Sequence, residues 1–290
     1  MAALSFGTLI QYAVIALLGY ILVGAPFSTV FSGSSVPSPR SQSSFDRVDS
    51  LAVPDAGLKC KDHGYRVHLF SREPLVIYIE NFVNDQEAKH IVDMSEPKFQ
   101  PSTVWTEGKE SLNDLVRKSE KAQLDRDHVV QCVEERARLF QGWRPYVYIE
   151  KLWSQRYRKN GHYTYHYDWS TSTPTSGRIS SFMVYLEANC TGGGTNFPRL
   201  QVPKDRSWCR FIVCDDDHAP DGAEDKVEGV IFKPITRNAV FWENIRSDGS
   251  GYTESWHAGL PVKEGTKIGL NIWSWYQEGL EVSKVTSGRT

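Results

Sequence analysis

Residues 161–170 read GHYTYHYDWS. Tyr163, Tyr165 and Tyr167 alternate with Thr164, His166 and Asp168, the period of a β-strand. Residues i and i+2 of a strand project from one face, so the His166 imidazole and the Asp168 carboxylate can converge on one ion. The three tyrosines fall on the opposite face, where packing into the core is the expectation. His162 shares the parity of His166. It stands four residues away, roughly 13 Å along a strand, too far to serve the same ion.

Working outward, a third ligand is available from His257 in the segment ESWHAGLP. Two histidines and one carboxylate on one face of a metal leave the other positions open, the donor set of non-haem Fe(II) oxygenases. Zinc hydrolases use the same donors, so the triad alone leaves the metal undecided. Lys267 follows His257 after a turn built from Pro261, Gly265 and Thr266. On the next strand, facing the same cavity, its ammonium can pair with the far carboxylate of a diacid held at the metal.

The frame around these residues is rich in strands. Apolar runs VYIEKLWSQRY, ISSFMVYLE, RFIVC, GVIFKP, NAVFWEN and KIGLNIWSWY are separated by the turn signals NGH, GGGT, PDGAED, RSDGSG and KEGT. Ahead of them, PLVIYIENFV reads as a strand and leads into a helix capped by Asn84, with Glu87 completing a capping box. A second helix is predicted from Asp127 to Gln141, with Val130, Val133, Ala137 and Phe140 on one face. Helices followed by many strands predict an α+β fold whose strands form a sandwich or jelly roll.

Composition narrows the function. The chain has 290 residues, 33 basic against 35 acidic, and a formal net charge of -2. That balance, without a polybasic run, argues against nucleic-acid binding. Five cysteines with no CxxC pair exclude a zinc ribbon or a thioredoxin-type site. Cys60 and Cys132 are open to being free, paired or simply buried, whereas Cys209 and Cys214 are close enough for a hairpin disulfide.

Four segments carry a more specific likeness: LWSQRYRKNGHYTYHYDW, RISSFMVYLEANCTGGGTNFP, FKPITRNAVFW and HAGLPVKEGTKIGLNIWSW. In order and spacing the chain resembles the prolyl 4-hydroxylase family of 2-oxoglutarate/Fe(II) oxygenases from about residue 75 to 277. The resemblance implies a double-stranded β-helix (jelly-roll) core with flanking helices. It implies His166, Asp168 and His257 as Fe(II) ligands and Lys267 as the partner of the 2-oxoglutarate C5 carboxylate. Tyr157 would donate a hydroxyl to that carboxylate, and Thr195 would line its pocket. Tyr163, Arg178 and Trp273 align with residues that contact the peptide substrate. Ascorbate is implied beside the iron, and the implied partner is a peptide or protein containing proline. The reaction implied is proline hydroxylation with release of succinate and CO2.

The sequence departs from the family's usual GQKY, GGET and KW at NGHY, GGGT and Lys267-Ile268. These departures lie near the substrate groove and bear on the substrate, not on the reaction. The same chemistry on a lysyl or small-molecule substrate is the first alternative, against which stands Lys267 where lysyl hydroxylases tend to carry Arg. A silent binding module on the same fold is the second, against which stands the intact triad with Lys267.

Residues 1–26 read as a single-pass signal-anchor or a signal peptide, because Leu9 to Ala25 is apolar apart from Gln11 and Tyr12. Val23-Gly24-Ala25 resembles a cleavage site. Residues 27–58 form a Ser/Pro-rich linker, and residues 59–290 the oxygenase domain. Arg40 and Arg47 follow the span, which by charge would leave the domain in the cytosol. The sequon Asn189-Cys190-Thr191 and the Cys209/Cys214 spacing favour instead the lumen of the endoplasmic reticulum and secretory pathway. The sequence names no oligomeric partner.

Overall fold

A computed structural model describes residues 49–106, 109–144, 146–169, 176–214, 227–277 and 280. The signal-anchor expected at residues 1–26, and the linker up to residue 48, lie outside the described residues. Among the described residues, no helix is long and apolar enough to cross a membrane.

Two antiparallel sheets form the core. The larger, ten-stranded sheet runs in the order Arg66–Arg72, Leu75–Glu80, Ala239–Glu243, Ser176–Gly192, Val262–Gln277, Trp153–Tyr157, Glu120–Gln123 and Gln100–Pro101. Val147–Glu150 and Leu51–Ala52 extend it beside the far end of Val262–Gln277. The smaller sheet runs Val230–Phe232, Thr195–Phe197, His257–Gly259, His162–His166 and Arg117–Lys118. This is the double-stranded β-helix that the sequence predicts.

Strand alternation divides the core into two compartments. From the long strand Ser176–Gly192, Phe182, Val184 and Leu186 join Ile268, Leu270 and Ile272 against Ile91, Val130, Val133 and Ala137 of the two helices. Tyr185 and Met183, of the other parity, pack with Phe197, Phe232, Val240 and Trp242 between the sheets. Each large apolar side chain so buried contributes roughly 1.5–3 kcal/mol. The helices are Asp85–Ser95 and His128–Phe140. The first carries the predicted capping box, with both Asn84–Glu87 bonds at 2.9 Å. The second is capped by Asp127, whose side chain accepts from the Val130 N–H at 3.0 Å.

Four expectations are corrected. The ordered part reaches back into the expected linker, because Leu51 and Ala52 are buried and pair with Glu150 and Ile149. The run 147–157 is two strands, broken at Lys151 and Leu152, whose amide and carbonyl bond instead to Ser50 and Leu124. RFIVC is not a strand. Arg206–Arg210 forms a short 3₁₀ turn capped by Asp205, the Cys209–Cys214 disulfide closes the chain directly behind it, and only Ile212 bridges to Phe232. Tyr165 is not in the core: it is 38% exposed on the outer face of the smaller sheet, stacked on Trp256. A second disulfide joins Cys60 to Cys132 and ties the segment between Ala52 and Arg66 to the second helix, while Cys190 is a free thiol.

Candidate active site

His166 and His257 sit opposite each other on neighbouring strands of the smaller sheet, and their rings are 4.3 Å apart. Asp168 follows the end of the first strand. One ligand atom from each of the three residues lies within 4.8 Å of the others. His166 Nε2 is 3.7 Å from Asp168 Oδ1, and His257 Nε2 is 4.0 Å from Asp168 Oδ2. His257 and Asp168 are buried.

Backbone carbonyls select the tautomers. His166 Nδ1–H donates to the Thr164 carbonyl at 2.8 Å, and His257 Nδ1–H to the Ser255 carbonyl at 2.9 Å. Both rings therefore present Nε2 as a lone-pair donor. Burial, and then the second imidazole, push His166 well below the usual histidine range, so it is neutral at pH 7. Burial on its own would raise the Asp168 carboxyl. The two imidazoles, Arg178 and the Ser181 hydroxyl outweigh it and hold the group ionised. Two imidazole Nε2 atoms and one carboxylate, converging from one side, are a donor set that fits Fe(II).

Lys267 stands on the strand that follows His257 in the chain. The chain crosses from the smaller to the larger sheet at Leu260 and Pro261, which places Lys267 on the sheet facing His257. Lys267 is 1% exposed. Its ammonium donates to the Gly193 carbonyl at 2.5 Å and lies 4.6 Å from the centre of the Tyr157 ring. Among the described residues, no carboxylate pairs with it. A Cβ on Gly259 would come within 4.0 Å of Nζ, so glycine there leaves the space before the ammonium open. Gly193 holds φ +69°, a left-handed conformation that glycine adopts without strain and that a side chain would oppose. Burial pushes the Lys267 ammonium down to about 8.

The other expected residues are placed as follows. Tyr157 pairs with Lys267 across the strands, and its hydroxyl donates to Gln155 Oε1 at 2.8 Å. Thr195 pairs with Gly259, and its Oγ1 is 2.8 Å from the Tyr185 hydroxyl. Tyr163 lies flat on His166 with ring centres 3.8 Å apart. A break in register between Tyr163 and His166 brings it to the ligand side, which strict alternation would forbid. Arg178 stacks on the Trp273 ring at 3.9 Å and forms a two-point ion pair with Glu150 at 2.6 and 2.9 Å. Trp273 donates its indole N–H to Asp168 Oδ2 at 3.1 Å, so that proton is held inside the site. The Ser/Thr-rich loop after Trp169 lies outside the described residues.

Sequence reasoning missed four residues. Ser181 donates to Asp168 Oδ2 at 2.7 Å, and Asn244 donates to Ser181 at 2.9 Å. Glu150 anchors Arg178, and Arg117 lies over the Tyr163 ring at 4.6 Å. A signal existed for Ser181: it is a small polar residue in register with Met183 and Tyr185 on the inner face of an apolar strand. Glu150 is likewise the lone acid in VYIE. Nothing in the local sequence marks Asn244 or Arg117.

Comparison with known proteins agrees with this geometry. The profile of the 2OG-Fe(II) oxygenase superfamily matches residues 152–275, which contain the triad and Lys267. The class is thereby defined as a 2-oxoglutarate-dependent dioxygenase that uses Fe(II) and 2-oxoglutarate. Prolyl 4-hydroxylase 13 of Arabidopsis thaliana is 28% identical over 259 residues, covering 85% of each chain. Prolyl 4-hydroxylase 5 of the same plant is 30% identical, covering 71% of this chain and 70% of its own. Prolyl 4-hydroxylase subunit alpha-3 of Mus musculus is 30% identical over 71% of this chain, which spans only 34% of that longer protein. Within the class, this chain belongs to the prolyl 4-hydroxylase family.

Proposed function

We propose that this chain hydroxylates prolyl residues of a peptide or protein at the 4-position, converting 2-oxoglutarate and oxygen to succinate and CO2. The observation that carries it is Lys267: a fully buried ammonium that no carboxylate among the described residues pairs with, next to Gly259, two residues after His257. A buried cation of this kind calls for an anion, and the C5 carboxylate of 2-oxoglutarate is an anion at the right end of a metal-chelating acid.

In this reading His166, Asp168 and His257 hold Fe(II), which when bound supplies the oxidising chemistry. Lys267, with the Tyr157 hydroxyl and Thr195 beside it, fixes the cosubstrate by its C5 end. Tyr163, Arg178 and Trp273 border the approach of the peptide. Burial of Lys267, Asp168 and His257 keeps bulk water from the reacting centre. Ascorbate is the accompanying reductant.

The test is 2-oxoglutarate turnover with Fe(II), followed by mass spectrometry of proline-rich peptides for the gain of one oxygen. Turnover together with oxidised proline supports the reading, and His166→Ala should abolish both. Turnover without any oxidised prolyl peptide, but with a lysyl peptide or small molecule oxidised, would replace it by the first alternative.

We also propose that the domain works in the lumen of the secretory pathway, held by the apolar N-terminal segment. Two disulfides and an exposed Asn189 in the sequon support this placement. A glycosidase should increase gel mobility, and Asn189→Gln should remove the difference. An unglycosylated, cytosolic protein would refute it.

A further inference from the structure

Asp168 is held by a chain of hydrogen bonds whose direction can be worked out from proton supply. Its Oδ2 accepts from two donors, the Ser181 hydroxyl at 2.7 Å and the Trp273 indole N–H at 3.1 Å. Ser181 has one proton and gives it to Asp168. The contact it makes with Asn244 must therefore run the other way, and Asn244 Nδ2 donates to Ser181 Oγ at 2.9 Å. This orientation leaves Asn244 Oδ1 buried without a hydrogen-bond partner. Turning the amide over would not help, because Ser181 would then have to donate in two directions with one proton. Ser181 and Asn244 are both fully buried. Asn244 cannot drift, because its amide bonds to the Ile179 carbonyl and its carbonyl to the Tyr252 amide, both at 2.8 Å.

We propose that Asn244 and Ser181 are positioning residues that make Asp168 a one-oxygen metal ligand, with Oδ2 occupied by the two donors and Oδ1 left for the metal. Oδ1 is 3.7 Å from His166 Nε2 and Oδ2 is 4.0 Å from His257 Nε2, so it is the two donors on Oδ2, and not distance to the histidines, that leave Oδ1 as the free oxygen. Asn244 acts at one remove, by compelling the Ser181 proton toward the carboxylate. A carboxylate held through one oxygen takes one coordination position instead of two. The second position then stays open for a chelating acid or for oxygen.

The inference rests on the reading of the triad as a metal site, and the experiment separates the two. Apo-protein is titrated with Co(II) in the absence of substrates, with visible absorption recorded and the 2-oxoglutarate KM measured afterwards on the Fe(II) enzyme. Ser181→Ala should weaken Co(II) binding about 10–100-fold and change the visible spectrum. The 2-oxoglutarate KM, set at Lys267, should move far less. Ser181→Thr restores the hydroxyl and should restore affinity and spectrum. Asn244→Asp, nearly equal in volume, offers only acceptors to Ser181, draws its proton away from Asp168 and should reproduce the loss. A folded Ser181→Ala protein with wild-type affinity and spectrum overturns the proposal. Should that variant fail to fold by circular dichroism, Asn244→Asp decides by the same two measurements. A wild-type protein that takes up no Co(II), or takes it up equally after His166→Ala, means that the metal site itself was misread.

Discussion

Lys267 lies directly opposite Tyr157 in the antiparallel pairing of their strands, and its ammonium rests 4.6 Å from the centre of the tyrosine ring. The same ammonium donates to the Gly193 carbonyl. The arrangement separates two roles within one side chain: the aromatic face steadies a buried cation, while the hydroxyl donates to Gln155 Oε1.

Tyr157→Phe should divide those roles. The ring remains, so Tm should stay within a few degrees of the wild type. The hydroxyl is lost, and a hydrogen bond to a charged group contributes about 1.5–3 kcal/mol. The 2-oxoglutarate KM should therefore rise roughly ten- to a hundredfold, with Fe(II) binding unaffected. An unchanged KM would show that the hydroxyl stays on Gln155 when the cosubstrate binds.

The Cys60–Cys132 disulfide closes a loop of 72 residues between the start of the domain and the second helix. Loop-closure entropy for that span is on the order of 4 kcal/mol. Cys60→Ser should lower unfolding free energy by about 2–4 kcal/mol in denaturant titrations, with little change in 2-oxoglutarate KM. A shift below about 0.5 kcal/mol would mean that the unfolded chain is not constrained by this bond.

Glu150 and Arg178 form a two-point pair beneath Trp273, with Glu150 8% exposed in its side chain. Removing one member leaves a mostly buried charge alone, at a cost of about 3–5 kcal/mol. Glu150→Ala should lower Tm clearly and, by freeing Arg178 from its stack on Trp273, raise the KM for peptide more than that for 2-oxoglutarate. Equal effects on both KM values would assign the pair to general stability and not to the peptide side of the site.

Much of this was readable before any coordinates. His166, Asp168, His257 and Lys267 stood out because each carries its chemistry in a short, regular context: strand parity for the first two, and a turn and a fixed spacing for the others. Both helices were legible from local signals, the first from its Asn84 cap and capping box, the second from the spacing of Val130, Val133, Ala137 and Phe140 on one face. What stayed hidden depends on distant partners. Tyr163 reaches the ligand side only because the register slips before His166, and a slip leaves no mark in composition. RFIVC looked like a strand because its residues are apolar, but the Cys209–Cys214 bond imposes a tight loop that propensity cannot register. Asn244 matters through Ser181, a partner 63 residues away.

The last prediction concerns Lys267 and pH. Burial lowers its proton affinity, to about 8 in the folded protein, against about 10.4 in an unfolded chain. The folded state thus binds protons less well, and burying the charged lysine costs on the order of 3 kcal/mol below pH 8. That cost shrinks as pH rises from 8 toward 10.4. A carboxylate bound at Nζ removes it from the other side, by favouring the ammonium. Free enzyme should therefore bind 2-oxoglutarate best below pH 8. Its KM should climb up to tenfold per pH unit above that value, while kcat, set by the complex, stays flatter. Lys267→Ala should abolish this rise and lift the KM by about two to four decades at pH 7, because the carboxylate then enters an apolar pocket unpaired. Lys267→Arg keeps a charge that does not titrate but brings a bulkier, planar head, so it should give an intermediate KM that is level from pH 7 to 9. Steady-state 2-oxoglutarate titrations across that range, with iron content measured in parallel, check all three. A wild-type KM in Lys267→Ala would move the cosubstrate to another cation, with Arg117, which lies over the Tyr163 ring, as a candidate.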